Sequence, residues 1–306
     1  MGKDLYDADA AVRDLFALAS DVAGRDMAAL VFDGSDEDLK QTDNTQIAVT
    51  LVNLAASRVL AGRGVHASVV AGFSLGEYAA LVDAGVLSAE DAFRLVVARG
   101  SIMERASRSW DRDGEPSGMA AVMGLDLPQV QTALEGIENV YPSLYNSPVQ
   151  TVIGGTAAAL EAAGAPLKAA GARRIVRLAV SGPFHTPLMA AAREEFTAHI
   201  DAVTFSEPQK PVYSNVHGTL VADGATARTL CLDQLVSTVR WTDEERTLLD
   251  QQRPDALLEV GPGTVLSGLW RAMAKSDPDW PADLVAAAGT LDGIVEATTR
   301  LTESTS

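Results

Sequence analysis

The chain has 306 residues, a formal net charge of −17, 47% hydrophobic residues and 21% charged residues. This composition is typical of a globular protein with a sizeable core, and it excludes disordered and fibrous proteins. Nonspecific binding to nucleic acid or to an anionic membrane requires a positive field, so the acidic balance argues against both. One cysteine, Cys231, cannot form an intramolecular disulfide, and the four histidines show no clustered metal-ligand spacing. We therefore expect a cytoplasmic protein without a metal, a cofactor, a signal segment or a membrane span.

The first elements in chain order are predicted to be helices. Apolar residues recur at helical spacing over 7–18, which predicts an opening helix. Residues 36–43 are polar and turn-like, and residues 45–60 form a long, apolar-rich segment that predicts a buried helix.

Residues 69–81, VVAGFSLGEYAAL, predict a serine on a strand-to-helix turn. The apolar residues 67–71 have the length and the β-branched content of a strand, and 75–82 form a helix without a breaker. In such a turn, glycines flanking Ser74 leave room for close backbone approach, and the first helical N–H groups, including that of Leu75, face a developing oxyanion. The bare GxSxG pattern is weak, because chance alone produces it in about one chain of this length in ten. An ordinary glycine-punctuated turn is the alternative to a nucleophile elbow.

The next helix, predicted over 90–106 with Ser88 and Asp91 as a capping pair, carries a charge on its apolar face. Arg99 lies within a stripe of apolar residues at helical spacing. A structural ion pair or a side chain that extends to solvent is one explanation. The other is a planar, bidentate site for a substrate carboxylate.

The polar, turn-rich segment SWDRDGEPSG, residues 109–118, separates the first part of the chain from a second predicted unit. Strand and helix patterns then follow in the order βαββαβ over about 65 residues, which favours a ferredoxin-like subdomain. The predicted strands are 119–123, 140–144, 149–153 and 174–180, and the predicted helices are 127–134 and 157–170.

The segment SGPFHTPLM places His185 between two prolines in a loop after the last of these strands. An imidazole is the side chain best suited to accept a serine proton near pH 7. The order serine then histidine fits an α/β-hydrolase-like site, with a loop hydrogen-bonding role as the alternative. We expect His66, His199 and His217 to be plain surface or loop residues.

Several motifs together, in this order and spacing, resemble malonyl-CoA:acyl carrier protein transacylases of fatty acid and polyketide synthesis. They are GFSLGEYAALVDAGVLSAEDAFRLVVARG, GMAAVMGL, YNSPVQTVIGG, VSGPFHTPLM, PVYSNVHG, QLVSTVRWTD and EVGPGTVLSGL. The resemblance implies an α/β fold in which a large α/β-hydrolase-like domain, residues 1–110 and 181–306, holds a ferredoxin-like insert at 116–180. It also implies a ping-pong reaction, in which malonyl passes from coenzyme A to a serine and then to the phosphopantetheine thiol of the carrier protein.

The resemblance assigns roles residue by residue. Ser74 matches the nucleophile, His185 the general base and Arg99 the residue that holds the malonyl carboxylate. Gln234 matches the residue whose backbone carbonyl orients the histidine, and Leu75 supplies one oxyanion N–H. Three further residues match substrate-pocket positions: Met119, Asn146 and Phe184. At the position of Phe184, a bulky side chain disfavours methylmalonyl in the polyketide members of the family.

The chain departs from the family pattern in two places. Phe73 stands where the family usually has histidine, and we treat this change as tolerated. The family's first strand and its GQG loop, whose glutamine gives the second oxyanion N–H, are absent before Met1. We expect either an upstream start, which we favour, or a naturally short and impaired chain in which loss of one donor costs about 10²–10³ in rate.

Two other functions stay open at this point. A serine esterase or thioesterase shares the elbow and the histidine but releases the acyl group to water, and Arg99 argues against it. The second open function is that of a truncated, inactive acyltransferase-like protein that only binds a carrier.

We expect the chain to be a monomer. We also expect its acidic carrier partner to dock on local basic residues, and the candidates are Lys168, Arg173, Arg174, Arg177, Arg271 and Lys275.

Overall fold

The computed structural model describes residues 1–112 and 114–304 as a mixed α/β protein. The helices in chain order are α1 (Lys3–Ala8), α2 (Ala10–Ala23), α3 (Met27–Asp33), α4 (Asp36–Lys40), α5 (Thr42–Gly62), α6 (Gly76–Asp83), α7 (Ala89–Arg108), α8 (Leu127–Ala133), α9 (Ala157–Ala162), α10 (Gly164–Ala169), α11 (Ala190–Asp201), α12 (Gly224–Asp233), α13 (Trp241–Gln252), α14 (Val265–Met273) and α15 (Leu291–Ser304). The strands are β1 (Gly118–Met123), β2 (Val140–Ser147), β3 (Gln150–Gly155), β4 (Arg174–Arg177), β5 (Tyr213–Ser214), β6 (Thr219–Leu220), β7 (Leu257–Glu259) and β8 (Val285–Ala287).

The first of two compact units contains Met1–Gly100, Thr204–Val212 and the chain from Gln252 onward. Helix α5 is its central element and contacts α1, α2, α4, α6 and α15. This helix is long and apolar enough to cross a membrane by length and composition alone, but 61% of its most apolar stretch is buried within the protein. It is therefore the core helix that the sequence predicts over 45–60.

Two sequence predictions in this unit are wrong. Residues 67–71 do not form a strand in the described structure, where Val70 makes a single parallel bridge to Val212 and donates its N–H to the Pro211 carbonyl at 3.0 Å. Because proline has no N–H, Pro211 cannot supply the bond that would continue this ladder to Ser68. The predicted turn at 36–43 contains the short helix α4, which a capping box between Ser35 and Asp38 starts.

The second unit contains Ser101–Val203 and Tyr213–Gln251. Its main feature is a four-stranded antiparallel sheet in the order β2-β3-β1-β4. Alternate residues of β1 point to opposite faces, as strand geometry requires. Ala120 and Val122 belong to the core that includes residues of α8, α9 and α10, whereas Met119 and Ala121 belong to a smaller cluster that includes Phe184.

Two elements of this unit are shorter than the sequence predicts. The helix predicted over 157–170 is divided into α9 and α10, because Pro166 has no N–H to continue the helical ladder. The strand predicted over 174–180 ends at Arg177. The sequence predicts a large domain at 1–110 and 181–306 and a subdomain at 116–180. These bounds differ from those of the two compact units, and they stay predictions.

Candidate active site

Ser74 lies on a tight turn that enters helix α6. Its backbone φ is 50°, a left-handed conformation that costs a non-glycine residue about 1–2 kcal/mol. Two backbone bonds close the turn, from Gly76 N–H to the Phe73 carbonyl at 2.9 Å and from Glu77 N–H to the Ser74 carbonyl at 3.2 Å. Strain of this kind is typical of functional sites, where the surrounding structure holds it in place.

The two glycines of this turn have different roles. A Cβ at Gly72 would lie 2.2 Å from the backbone carbon and oxygen of Gly76, so any side chain there would displace the turn. A Cβ at Gly76 would meet nothing within 4 Å. The prediction of close backbone approach is therefore confirmed for Gly72 and wrong for Gly76.

Leu75 precedes the first residue of α6, and its N–H donates to no acceptor among the residues that the structure describes. Helices leave their first N–H groups without intrahelical partners, and such groups attract negative charge. The N–H of Leu75 is therefore available to an anion that forms beside Ser74.

Arg99 is 1% exposed and points from α7 toward Ser74 within the first unit. Its Nη2 donates to Ser74 Oγ at 3.4 Å, and its Nη1 donates to the side-chain oxygen of Gln46 at 2.7 Å. The guanidinium carbon also lies 5.7 Å from the centre of the Tyr78 ring. A buried cation is thus fixed next to the predicted nucleophile, and the side chain that extends to solvent is excluded for Arg99.

Gln46 was not predicted as a site residue. It is 7% exposed and lies on the buried face of α5, one helical turn before the fully buried Thr50. Polar residues recur at helical spacing along this apolar-rich helix, at Gln46, Thr50, Asn53 and Ser57, and this row is the signal that could have identified it. The amide of Gln46 orients the guanidinium without neutralising its charge.

His185 lies in the second unit, on a loop that leads into α11. It is 3% exposed, and its φ is 58°, so this residue also adopts the left-handed conformation. Two hydroxyl groups hold the loop: Ser143 Oγ donates to the Phe184 carbonyl at 2.7 Å, and Thr186 Oγ1 donates to the Pro183 carbonyl at 2.6 Å. By contrast, His66, His199 and His217 are exposed, as predicted.

The Nδ1 atom of His185 lies 2.8 Å from the backbone oxygen of Gln234. A carbonyl oxygen can only accept, so Nδ1 carries the proton and Nε2 keeps its lone pair. Gln234 follows the last residue of α12, where helix carbonyls lack intrahelical partners and carry partial negative charge. This carbonyl therefore fixes the imidazole tautomer and favours the imidazolium that proton transfer would create.

The predicted pocket residues also lie in the second unit. Met119 is buried in β1, and the cluster to which it belongs includes Phe184. Asn146 is 6% exposed in β2, and its side-chain oxygen has no hydrogen-bond partner among the described residues. Such a buried acceptor is suited to a ligand donor. Among the described residues, no group of three or more His, Cys, Asp or Glu side chains is placed to hold a metal ion.

The acyl transferase domain family matches residues 1–292. The malonyl CoA-acyl carrier protein transacylase of Escherichia coli (strain K12) is 40% identical over 272 residues, which cover 87% of this chain and 85% of that protein. The enzyme of the same name from Bacillus subtilis (strain 168) is 35% identical over 290 residues, which cover 91% of this chain and 90% of that protein.

Solved structures of malonyl transacylases are also similar to this chain. The malonyl CoA-acyl carrier protein transacylase of Clostridium perfringens superposes with a TM-score of 0.90 at 30% identity, covering 99% of this chain and 93% of that one. A malonyl-transacylase solved in complex with its type II polyketide synthase acyl-carrier protein gives a TM-score of 0.88 at 37% identity, covering 98% of this chain and 94% of that one. The chain therefore belongs to the acyl transferase domain family and, within it, to the malonyl-CoA:acyl carrier protein transacylases.

Proposed function

We propose that this chain transfers a malonyl group from malonyl-CoA to the phosphopantetheine thiol of acyl carrier protein through a malonyl-serine intermediate. The observation that carries this function is the buried guanidinium of Arg99, 3.4 Å from the hydroxyl of Ser74. Only one methylene separates the carboxylate of malonate from its acyl carbon, so the cation that binds the carboxylate must lie close to the nucleophile. A contact at this distance meets that requirement.

The fold assignment that accompanies this function is a large α/β-hydrolase-like domain, 1–110 and 181–306, with a ferredoxin-like subdomain at 116–180. Two features support it. The four-stranded sheet has the order β2-β3-β1-β4, with helices between β1 and β2 and between β3 and β4. A strained serine before a helix and a later histidine follow the order of α/β-hydrolase sites. Cytoplasmic location and a monomeric state stay predictions from the sequence.

In the first half-reaction, Ser74 is the nucleophile and His185 the general base. As Oγ bonds to the thioester carbon, the hydroxyl proton moves to Nε2 of His185, and the N–H of Leu75 stabilises the carbonyl oxygen as it becomes negative. The C–S bond then breaks, and coenzyme A takes the proton from the imidazolium and leaves as a thiol. The carbonyl of Gln234 keeps Nδ1 protonated throughout, so it replaces the carboxylate of a triad as an orienting group.

The second half-reaction reverses these roles. The phosphopantetheine thiol gives its proton to Nε2 of His185 and attacks the malonyl ester. The C–O bond to Ser74 breaks, and Oγ recovers the proton. Substrate selection in both halves belongs to Arg99, which binds the carboxylate, and to a pocket with Met119, Asn146 and Phe184.

Carrier docking requires local positive charge, since the chain is acidic overall. Strand β4 is an edge strand of the sheet, and Arg174 and Arg177 at its two ends are exposed. Arg173 and Lys168 are exposed nearby in sequence. We propose this group of side chains in the second unit as one candidate surface for the carrier protein, and the exposed Arg271 and Lys275 in the first unit as a separate candidate.

A thioesterase shares the serine and the histidine, but it has no use for a buried cation beside the nucleophile. An inactive carrier-binding protein has no need of the strained Ser74 backbone. Neither alternative explains Arg99 and Ser74 together. The malonyl transferase function does.

Rapid-quench labelling with radiolabelled malonyl-CoA tests the proposal. We expect stoichiometric label on the wild type, no label on Ser74→Ala, and full label on Ser109→Ala, which changes an exposed serine. Adding holo carrier protein should move the label to the carrier faster than water releases it. Label released only to water would indicate a thioesterase, and no label on the wild type would contradict the function.

The role of Arg99 has its own test at Gln46. Replacing Gln46 with glutamate puts a carboxylate 2.7 Å from the guanidinium, where it competes with the malonyl carboxylate. We expect Gln46→Glu to raise the KM for malonyl-CoA by about tenfold, consistent with an ion pair in a buried site. Acylation by acetyl-CoA, which has no carboxylate, is the control and should change much less. An equal effect on both substrates would contradict the assignment.

A further inference from the structure

Strand β2 contains an irregularity at Ser143. The pairing of β2 with β3 shifts between Pro142, which lies opposite Ile153, and Leu144, which lies opposite Val152. The extra residue is Ser143, which is fully buried. Bulges of this kind change the direction of a side chain and occur often beside active sites.

The side chain of Ser143 reaches the loop that carries His185. Its Oγ donates to the carbonyl of Phe184 at 2.7 Å, and that carbonyl belongs to the peptide that enters His185. The left-handed φ of 58° at His185 is unfavourable for a residue with a Cβ, so the neighbouring groups must hold it. The Ser143 hydroxyl is one of these groups.

The backbone around Ser143 contacts the segment that follows Gln234. The Ser143 carbonyl accepts from Val239 N–H at 2.9 Å, and Tyr145 N–H donates to the Val239 carbonyl at 2.8 Å. Thr238 Oγ1 adds a bond to the Pro142 carbonyl at 2.9 Å. One bulged segment thus binds the histidine loop through a side chain and the Gln234 segment through its backbone.

We propose that Ser143 is a positioning residue for the general base. By joining the two segments, it sets the alignment of His185 Nδ1 on the Gln234 carbonyl, and with it the tautomer in which Nε2 carries the lone pair that accepts a proton. The effect on catalysis rests on the proposed function, whereas the effect on the imidazole does not. Without this hydroxyl the Phe184 peptide can rotate, and the imidazole loses its fixed direction.

Kinetics of Ser143→Ala test the catalytic part. We expect the acylation rate to fall by about 10²-fold, because a displacement of a catalytic group by about 1 Å has an effect of this size. The KM for malonyl-CoA should stay within about twofold of the wild-type value. Ser117→Ala is the matched control, because Ser117 is 1% exposed in the same unit and its hydroxyl donates to the Ser107 carbonyl at 3.1 Å, not to the histidine loop. Ser143→Cys keeps the shape with a weaker donor and should show a smaller loss in the same direction.

Nitrogen NMR of the imidazole rings tests the positioning part directly. The His185 signals, assigned by their loss in His185→Gln, should report one tautomer in the wild type and in Ser117→Ala, and a mixture in Ser143→Ala. Unchanged tautomers in Ser143→Ala, or acylation equal to that of Ser117→Ala, would overturn the proposal. If the wild type takes no malonyl label, the proposed function fails, and the tautomer measurement still decides the role of Ser143.

Discussion

Ser74 and His185 both adopt left-handed backbone conformations, with φ of 50° and 58°, but different kinds of contact hold them. The turn at Ser74 is closed by backbone bonds between residues three positions apart and by the absence of a side chain at Gly72. The loop at His185 is held by Ser143, 41 residues before the Phe184 carbonyl that it binds, and by Gln234, 49 residues after His185.

The difference shows two ways of holding a strained backbone conformation at a candidate site residue. A local turn needs the correct glycine and a following helix, so its stability depends on a few adjacent residues. A loop held by distant strands and helices depends on how the whole unit folds. Three experiments, from the largest expected effect to the smallest, examine the unit that contains the turn and the unit that contains the loop.

Gly72→Ala should abolish acylation. The added Cβ would lie 2.2 Å from the Gly76 backbone, which must move and carry Ser74 with it, so we expect a loss of at least about 10²-fold. Gly76→Ala is the matched control, because its Cβ meets no atom within 4 Å. Burst-phase malonyl labelling measures both variants, and equal activity would show that the turn is not held locally.

The second unit should show a pH-dependent stability that comes from Glu245. Burial in α13 raises the pKa of this carboxyl from 4.5 to about 8. Its pKa is higher in the folded state than in the unfolded chain, so the folded protein loses stability as pH rises from about 4.5 to about 8. Since each pKa unit corresponds to about 1.4 kcal/mol, Glu245→Gln should gain about 3 kcal/mol on the wild type between pH 5 and pH 8.

Urea unfolding at both pH values measures this gain. Glu194→Gln, which changes an exposed glutamate of α11, controls for the altered net charge. A similar gain in both variants would mean that general charge repulsion, and not the burial of Glu245, produces the pH dependence.

Replacing each strained residue with glycine should change stability in opposite directions. Ser74→Gly relieves a conformation that costs about 1–2 kcal/mol, partly offset by the greater entropy of unfolded glycine, so we expect a gain of roughly 0.5–1 kcal/mol. His185→Gly also removes a buried ring and its bond to the Gln234 carbonyl, so the net change should be a loss. Equilibrium unfolding of the two variants gives the signs, and a stabilised His185→Gly would contradict the view that distant contacts hold the loop.

The sequence by itself determined which residues are candidates for the site, and it determined most helices. The motifs around Ser74, Arg99 and His185 are local or of helical period, and local patterns express themselves in sequence. Local patterns gave a wrong prediction at residues 67–71. Their β-branched content predicts a strand, but Pro211 in the neighbouring segment limits the pairing to one bridge. The strand partner is distant in sequence, so local propensity could not reveal this limit.

Only the tertiary structure decided which groups hold these residues in place. Gln46 lies 53 positions from Arg99, and Ser143 reaches the His185 loop only because β2 bulges at that residue. The sequence marks Gln46 only as one of several polar residues along α5 and does not mark Ser143, since a buried glutamine or serine acquires its role from the partner that folding brings to it. The sequence predicts the candidate reacting groups through short-range patterns, and the orientation of their side chains depends on long-range hydrogen bonds that exist only in the folded chain.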